Sequence, residues 1–252
     1  MGRKQRRQRN GTRPGELTET GFVLGVLGGC GGVGASALAT ACAVRAAAAG
    51  RDVVLVDGNP WGGGLDVMAG LDVEPGLRWA DLGGVLGDVD PGRLLDALPV
   101  GPERVRCLSW GADPPGSASF GPDPVVSALR SAAGLVVLDL PGPAPGRAHQ
   151  QWWESCDELV LVVEASVVGI GSATVIAAEL RQLTWVVLRS PSALEDVELQ
   201  TAVGAPVLSR LGDDSTVRRC LERGGPVGAQ PGPLSDAADE VLATVLPEVR
   251  AA

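Results

Sequence analysis

Four short runs of Val and Leu, each closed by a charged residue, constrain this chain more than any other feature. They read VVLVD at 53–57, LVVLD at 135–139, LVLVVE at 159–164 and WVVLR at 185–189. None alternates apolar with polar residues, as a strand with one wet face would. Runs of this kind are strands covered on both sides, the habit of parallel sheets whose crossovers are helices. Residues 22–27 form a further apolar run, and 206–211 read as the last strand. An Ala-rich stretch at 35–49, stopped by Gly50, predicts a helix, as do 124–133, 173–183 and 235–246. Residues 105–110 read as one more strand and 58–64 as a Gly-rich loop. The expected fold class is α/β: a doubly wound, mostly parallel sheet with helices on both faces. Such sheets bind ligands beyond the carboxyl ends of their strands. That directs attention to the loops after Leu27, Asp57, Asp139, Glu164 and Arg189.

The first of these loops joins a buried strand to a helix and reads Gly29-Cys30-Gly31-Gly32-Val33-Gly34-Ala35-Ser36. It has the outline of the phosphate-binding loop G-x-x-x-x-G-K-[ST]. There, curled backbone presents N–H groups to phosphate oxygens, the Lys reaches the β/γ-phosphates and the hydroxyl binds Mg²⁺. The helix that follows adds its positive dipole end. Here the Lys position is Ala35, and the chain's one Lys is Lys4. The backbone cradle and Ser36 are kept, and the cation is lost. Ser36 is the expected direct metal ligand, with Asp57 and Asp139 holding the ion through water. The same loop also spells G-x-G-x-x-G through Gly29, Gly31 and Gly34. Asp57, 23 residues after Gly34, stands about where a dinucleotide fold places its ribose-binding acid. An NAD(P)- or FAD-dependent oxidoreductase is therefore an alternative, as is a scaffold without ligand. His149, the only imidazole, lies in a Pro/Gly-rich stretch that shows no hydride-transfer site.

Charge is divided unevenly over the 252 residues. The net charge is −9, yet residues 1–13 carry Arg3, Lys4, Arg6, Arg7, Arg9 and Arg13. Fifteen Arg then face 30 Asp and Glu in the remainder. So acidic a body argues against nucleic acid as partner. Residues 1–19 read as a flexible basic tail, the one segment able to touch anionic lipid, and 20–250 as a single domain. The five cysteines, at 30, 42, 107, 156 and 220, show no C-x-x-C spacing and indicate reduced thiols rather than disulfides or zinc. No apolar run approaches the ~20 residues of a membrane span, and no apolar segment follows the basic start. A cytoplasmic protein is expected.

Three segments together, Gly31–Ser36 (GGVGAS), residues 53–57 and Val137-Leu138-Asp139-Leu140-Pro141, resemble the deviant-Walker ATPases of the ParA/MinD group. Their loop reads KGGxGK[ST]. Gly62-Gly63-Gly64-Leu65-Asp66, residues 75–82 (PGLRWADL) and Leu108-Ser109-Trp110-Gly111 are similar to the CpaE/TadZ-like branch, which includes actinobacterial septum-site-determining (Ssd-like) proteins. The resemblance covers about residues 20–230. It implies a P-loop NTPase-like domain of the SIMIBI type that binds ATP or ADP with Mg²⁺. It also implies a homodimer facing across its phosphate loops, with a partner in division or in pilus or secretion machinery. Recruitment to the septum, the pole or the inner face of the membrane would follow.

The departures from that pattern are chemical. Cys30 stands where the group has its signature Lys, Ala35 where it has the ordinary loop Lys, and Asn59 where a second Asp orients water. Losing one charge clamp alone can cost several kcal/mol of transition-state stabilisation. Nucleotide is therefore expected to bind weakly, with hydrolysis weak or lost. Nor is the adenine-reading Asn of the group evident at Arg189-Ser190-Pro191. Residues 236–248 are acidic where a MinD-like membrane helix is basic.

Overall fold

The first strand, β1 (Phe22–Gly28), runs directly into the glycine loop and α1 (Ala35–Ala48). Next come β2 (Val53–Asp57), α2 (Leu65–Ala69), a 3₁₀ turn at Trp79–Leu82, α3 (Pro91–Ala97), β3 (Arg106–Leu108) and α4 (Asp123–Ala132). The middle of the chain gives β4 (Leu135–Asp139), α5 (Ala148–Glu154), β5 (Glu158–Glu164), α6 (Val167–Ala177) and β6 (Thr184–Arg189). Four elements follow: α7 (Asp196–Val203), β7 (Val207–Leu211), α8 (Ser215–Arg223) and α9 (Pro233–Val245). This computed structural model describes residues 20–60, 64–83, 88–101, 103–111, 122–144, 148–181, 184–189 and 195–246. The expected tail at 1–19 and the glycines at 62 and 63 lie outside them.

Among the described residues, seven strands form one sheet in the order β3-β2-β4-β1-β5-β6-β7, with every pair parallel. β1 lies at the centre, between β4 and β5, so the loop that follows it opens at the middle of the carboxyl edge. Successive residues point to opposite faces, and both faces are buried. Leu24 and Val26 pack with α1 and α9, while Val23 and Leu27 pack with α4, α5 and α6. This two-sided burial explains why the strands read as unbroken apolar runs. No described helix is long and apolar enough to cross a membrane.

Two segments differ from expectation. The helix placed at 173–183 begins six residues earlier, at Val167, and ends at Ala177. Its start is fixed by Ser166, whose hydroxyl accepts from the Gly169 N–H at 3.0 Å, an N-cap that outweighs the two internal glycines. The strand expected at 105–110 pairs with β2 over Arg106–Leu108 alone; it is the edge strand, and its other side meets only a short antiparallel bridge from Val100 to Arg106. The helices α2, α3, α5, α7 and α8 were not anticipated. Two of them start on Asp caps: Asp90 accepts from Arg93 N and Asp214 from Thr216 N, both at 2.8 Å.

One close approach locks the end of the chain to α1. Gly228 has φ +90, and a Cβ there would lie 2.5 Å from the Ala41 Cβ and 2.6 Å from its Cα. Backbone conformation and contact both exclude a side chain. Gly228→Ala is expected to destabilise the domain by about 2 kcal/mol or more, read as a lower urea midpoint at unchanged slope.

Candidate functional site

Where β1 ends, Gly29 is pinned sideways: its N–H donates to the Val162 carbonyl of β5 at 2.8 Å. The chain then curls outward. Gly32 (φ +75) and Gly34 (φ +102) both take the left-handed backbone that glycine favours. A Cβ on Gly31 or Gly32 would meet nothing within 4 Å. Gly34 is the N-cap of α1 and no side chain caps the helix, so its first N–H groups face the loop without an internal partner. The result is a cavity of about 470 Å³ walled by residues 28–37, with Asn59, Met68, Asp139, Leu140, Gly142, Pro143 and Ile176. Every position predicted to bind phosphate, Gly29 through Ser36, lies on its wall.

The predicted metal ligands are placed less uniformly. Asp139 lines the cavity, only 6% exposed, with Ser36 on the same wall. Asp57 pairs with Asp139 in register across β2 and β4. However, it does not line the cavity. One of its carboxylate oxygens accepts from Asn59 N at 2.9 Å and the other from Leu65 N at 3.3 Å, closing the loop after β2. Burial pushes Asp57 up to about 6 against the hydrogen bonds from Asn59 and Leu65. Burial pushes Asp139 up to about 7, with the nearby Ser36 hydroxyl opposing and the Asp57 charge adding to the rise. No group of three or more His, Cys, Asp or Glu among the described residues is placed to hold a metal unaided. A divalent ion here would rest on Ser36 and Asp139 and take its remaining ligands from phosphate oxygens and water. That donor set fits Mg²⁺, which keeps waters and binds through few carboxylates.

The missing cations are not replaced within the loop. Cys30 Sγ lies 3.8 Å from Glu164 Oε2, and burial, then the Glu164 charge and hydrogen bond, push its thiol up. A neutral thiol and a carboxylate thus occupy the place where the resembled group carries an ammonium. Arg189, at the end of β6, comes nearer than the sequence indicated: its Nη1 lies 3.5 Å from where a Gly34 Cβ would be. It pairs with Asp213 at 2.5 Å and is about one-third exposed. Only the fold reveals this, because 155 residues separate Arg189 from Gly34.

A tryptophan cluster behind the site was visible as sequence and unreadable as chemistry. Trp79 and Trp110 belong to the stretches PGLRWADL and LSWG. Their indole N–H groups donate to one acceptor, the Asp57 carbonyl, at 2.8 and 3.1 Å. The rings stack with centroids 5.5 Å apart, and Trp152 meets Trp79 edge-on at 5.7 Å. His149 is buried outside the cavity, and its Nδ1 accepts from Ala144 N at 3.0 Å. An oxidoreductase loses its support: Asp57, 3% exposed with both oxygens engaged, is not presented to a ribose.

No family model matches the chain. Uncharacterized proteins from two strains of Mycobacterium tuberculosis are 35% identical over 233 residues, which is 90% of this chain. The chain spans 64% of the length of these curated relatives. Among solved structures, a ParA family ATPase from Chlorobium tepidum superposes with TM-score 0.74 at 20% identity, over 89% of this chain and 98% of that one. The septum site-determining protein MinD from Pyrococcus horikoshii, complexed with Mg-ADP, gives 0.70 at 21%, over 89% and 98%. A MinC:MinD cell division complex from Aquifex aeolicus gives 0.69 at 18%, over 90% and 98%. The chain has the fold shared by these ATPases.

Proposed function

We propose that this protein is a nucleotide-binding localisation or regulatory factor of the MinD/CpaE kind, acting as a switch with little or no hydrolysis. The observation that carries the reading is Ser36 and the Asp139 carboxylate together on the wall of an open glycine cradle. Residues 29–36 would grip the phosphates of ATP or ADP through backbone N–H groups and the dipole of α1. Ser36 and Asp139 would hold Mg²⁺ there, and the ion would supply neutralisation of phosphate charge. Asp57 would act through the loop it closes. That MinD of the same fold holds Mg-ADP supports this ligand. With Ala35 and Cys30 in place of two ammonium groups, little is left to stabilise a transferring phosphoryl group.

The biological role is inferred at one further remove. MinD in complex with MinC supports a protein partner, and the septum-site name of the Pyrococcus protein supports a role in division. Positioning of pilus or secretion assemblies is the neighbouring possibility within the same branch. A homodimer facing across its phosphate loops, and peripheral membrane contact through Arg3, Lys4 and the other basic residues of the tail, complete the reading. Imaging the tagged protein in its host separates septal from polar placement.

Calorimetry with Mg-ADP and Mg-ATP tests the ligand. Micromolar or weaker binding is expected, with Ser36→Ala reducing affinity about tenfold, the value of one lost metal ligand on the scale of a hydrogen bond to a charged group. Absence of heat at high protein concentration would sink the reading, and hydrolysis at the rate of a lysine-bearing ATPase would sink the account of the lost cations.

A further inference from the structure

We propose that His149 is a positioning residue for the cavity: its imidazole holds the loop after β4, and with it one wall of the nucleotide site, through the amide of Ala144. The inference rests on the nucleotide reading above and adds a residue that neither the motif nor the cavity lining contains.

The loop needs an outside anchor because of its composition. Residues 141–144 read Pro-Gly-Pro-Ala, and Pro141 and Pro143 have no N–H to donate. Only Gly142 and Ala144 could tie the backbone down as donors. Leu140, Gly142 and Pro143 face the cavity, so the path of this segment sets the width available to a ligand. Two bonds reach it from α5. Trp153 Nε1 donates to the Pro141 carbonyl at 3.2 Å, and His149 Nδ1 accepts from Ala144 N at 3.0 Å. The two rings lie 4.5 Å apart and act as a paired support.

The state of the imidazole follows from the geometry. An Nδ1 that accepts an amide proton carries none, so the ring proton sits on Nε2. Nε2 is buried without a hydrogen-bond partner among the described residues, and Glu179 Oε2 is 3.7 Å away. Buried polar groups are nearly always paired, and an unpaired one asks for a reason. A residue present only to fill space could be apolar. Here one nitrogen is left unsatisfied while the other is committed to the loop. Glu179 follows α6, the helix that also contributes Ile176 to the cavity, so the imidazole lies between two walls of the site.

The test compares the wild type with His149→Phe, His149→Asn and His149→Gln. Phe keeps the ring against Trp153 and removes the acceptor. Asn places an oxygen near the Nδ1 position, whereas Gln places its oxygen near Nε2. The first readout is amide exchange at Ala144 in the nucleotide-free protein. Exchange at least tenfold faster is expected in H149F and H149Q, with H149N near wild type. The second is the Mg-ADP dissociation constant, expected to rise five- to tenfold in H149F and H149Q and to stay within twofold in H149N. Should H149F not fold, the contrast between H149N and H149Q decides alone. Equal exchange at Ala144 in the wild type and the acceptor-lacking variants would overturn the proposal, as would a failure of Asn to do better than Gln. If the wild type takes up no Mg-ADP, the nucleotide reading falls, and exchange at Ala144 still decides whether His149 sets this wall.

Discussion

Trp79→Ala should lower the stability of the domain by about 3–5 kcal/mol, the range for emptying a large buried aromatic site. Trp79 is 2% exposed, its backbone N–H donates to the Ser109 carbonyl at 2.9 Å, and its ring packs between Trp110 and Trp152. The indole N–H is a separate and smaller contribution. Trp79→Phe keeps most of the apolar area and loses one hydrogen bond, so about 1 kcal/mol is expected. Trp110→Phe removes the other donor from the same carbonyl. Each single change leaves Asp57 O with one bond; the double change leaves a buried carbonyl with neither indole. The pair should therefore be non-additive, the double variant losing more than the two singles together. Urea denaturation of the four proteins measures this. Equal losses for Trp79→Ala and Trp79→Phe would show that packing is not the main term.

Asp139→Asn should flatten the dependence of stability on pH and weaken the response to Mg²⁺. Asp57 and Asp139 sit in register on adjacent strands and are raised to about 6 and about 7. Both values lie above those of carboxyls in the unfolded chain. Between about pH 4 and pH 7 the folded state therefore holds protons that the unfolded state releases. Stability from this source is complete below the unfolded value, falls as pH rises through the folded values, and is gone above them. The nucleotide-free wild type should gain up to a few kcal/mol at pH 5 relative to pH 8 from these two groups, at about 1.4 kcal/mol per pH unit of displacement. Asparagine imitates the protonated acid. The variant should thus be the more stable protein at pH 8, and comparison with the wild type isolates this carboxylate from all others. Magnesium with ADP should raise the melting temperature of the wild type at pH 8 and that of the variant far less. A variant less stable than wild type at pH 8 would contradict the burial argument.

The central strands were legible because burial on both faces leaves no room for polar residues, and the runs at 53–57, 135–139 and 159–164 show it without ambiguity. The cradle was legible because the left-handed backbone at Gly32 and Gly34 favours glycine. The helix at Val167–Ala177 was displaced in the reading because two glycines and three valines outweigh, on paper, a single Ser166 cap. What local sequence could not carry was partnership. Asp57 had the position of a metal ligand, and nothing nearby revealed that Asn59 N and Leu65 N take up its oxygens. Nothing local to Arg189 showed that β6 carries it to the loop, where it lies against Gly34. The two Trp-bearing stretches could be noticed as patterns, but their shared acceptor is a main-chain carbonyl 22 and 53 residues away. Of Arg189-Ser190-Pro191, where a base-reading side chain was sought, Ser190 and Pro191 lie outside the described residues.

The two stacked indoles have an optical consequence. Transition dipoles 5.5 Å apart couple, so Trp79 and Trp110 together form an ultraviolet chromophore anchored to the last residue of β2. Any shift of the segment after Asp57 alters their overlap and the polarity around the half-buried Trp110. The chain contains no tyrosine, which leaves the near-ultraviolet spectrum to tryptophan and two phenylalanines. Circular dichroism near 290 nm, about where indole absorption ends, therefore reads tryptophan alone, with this stacked pair contributing beside the four other indoles of the chain.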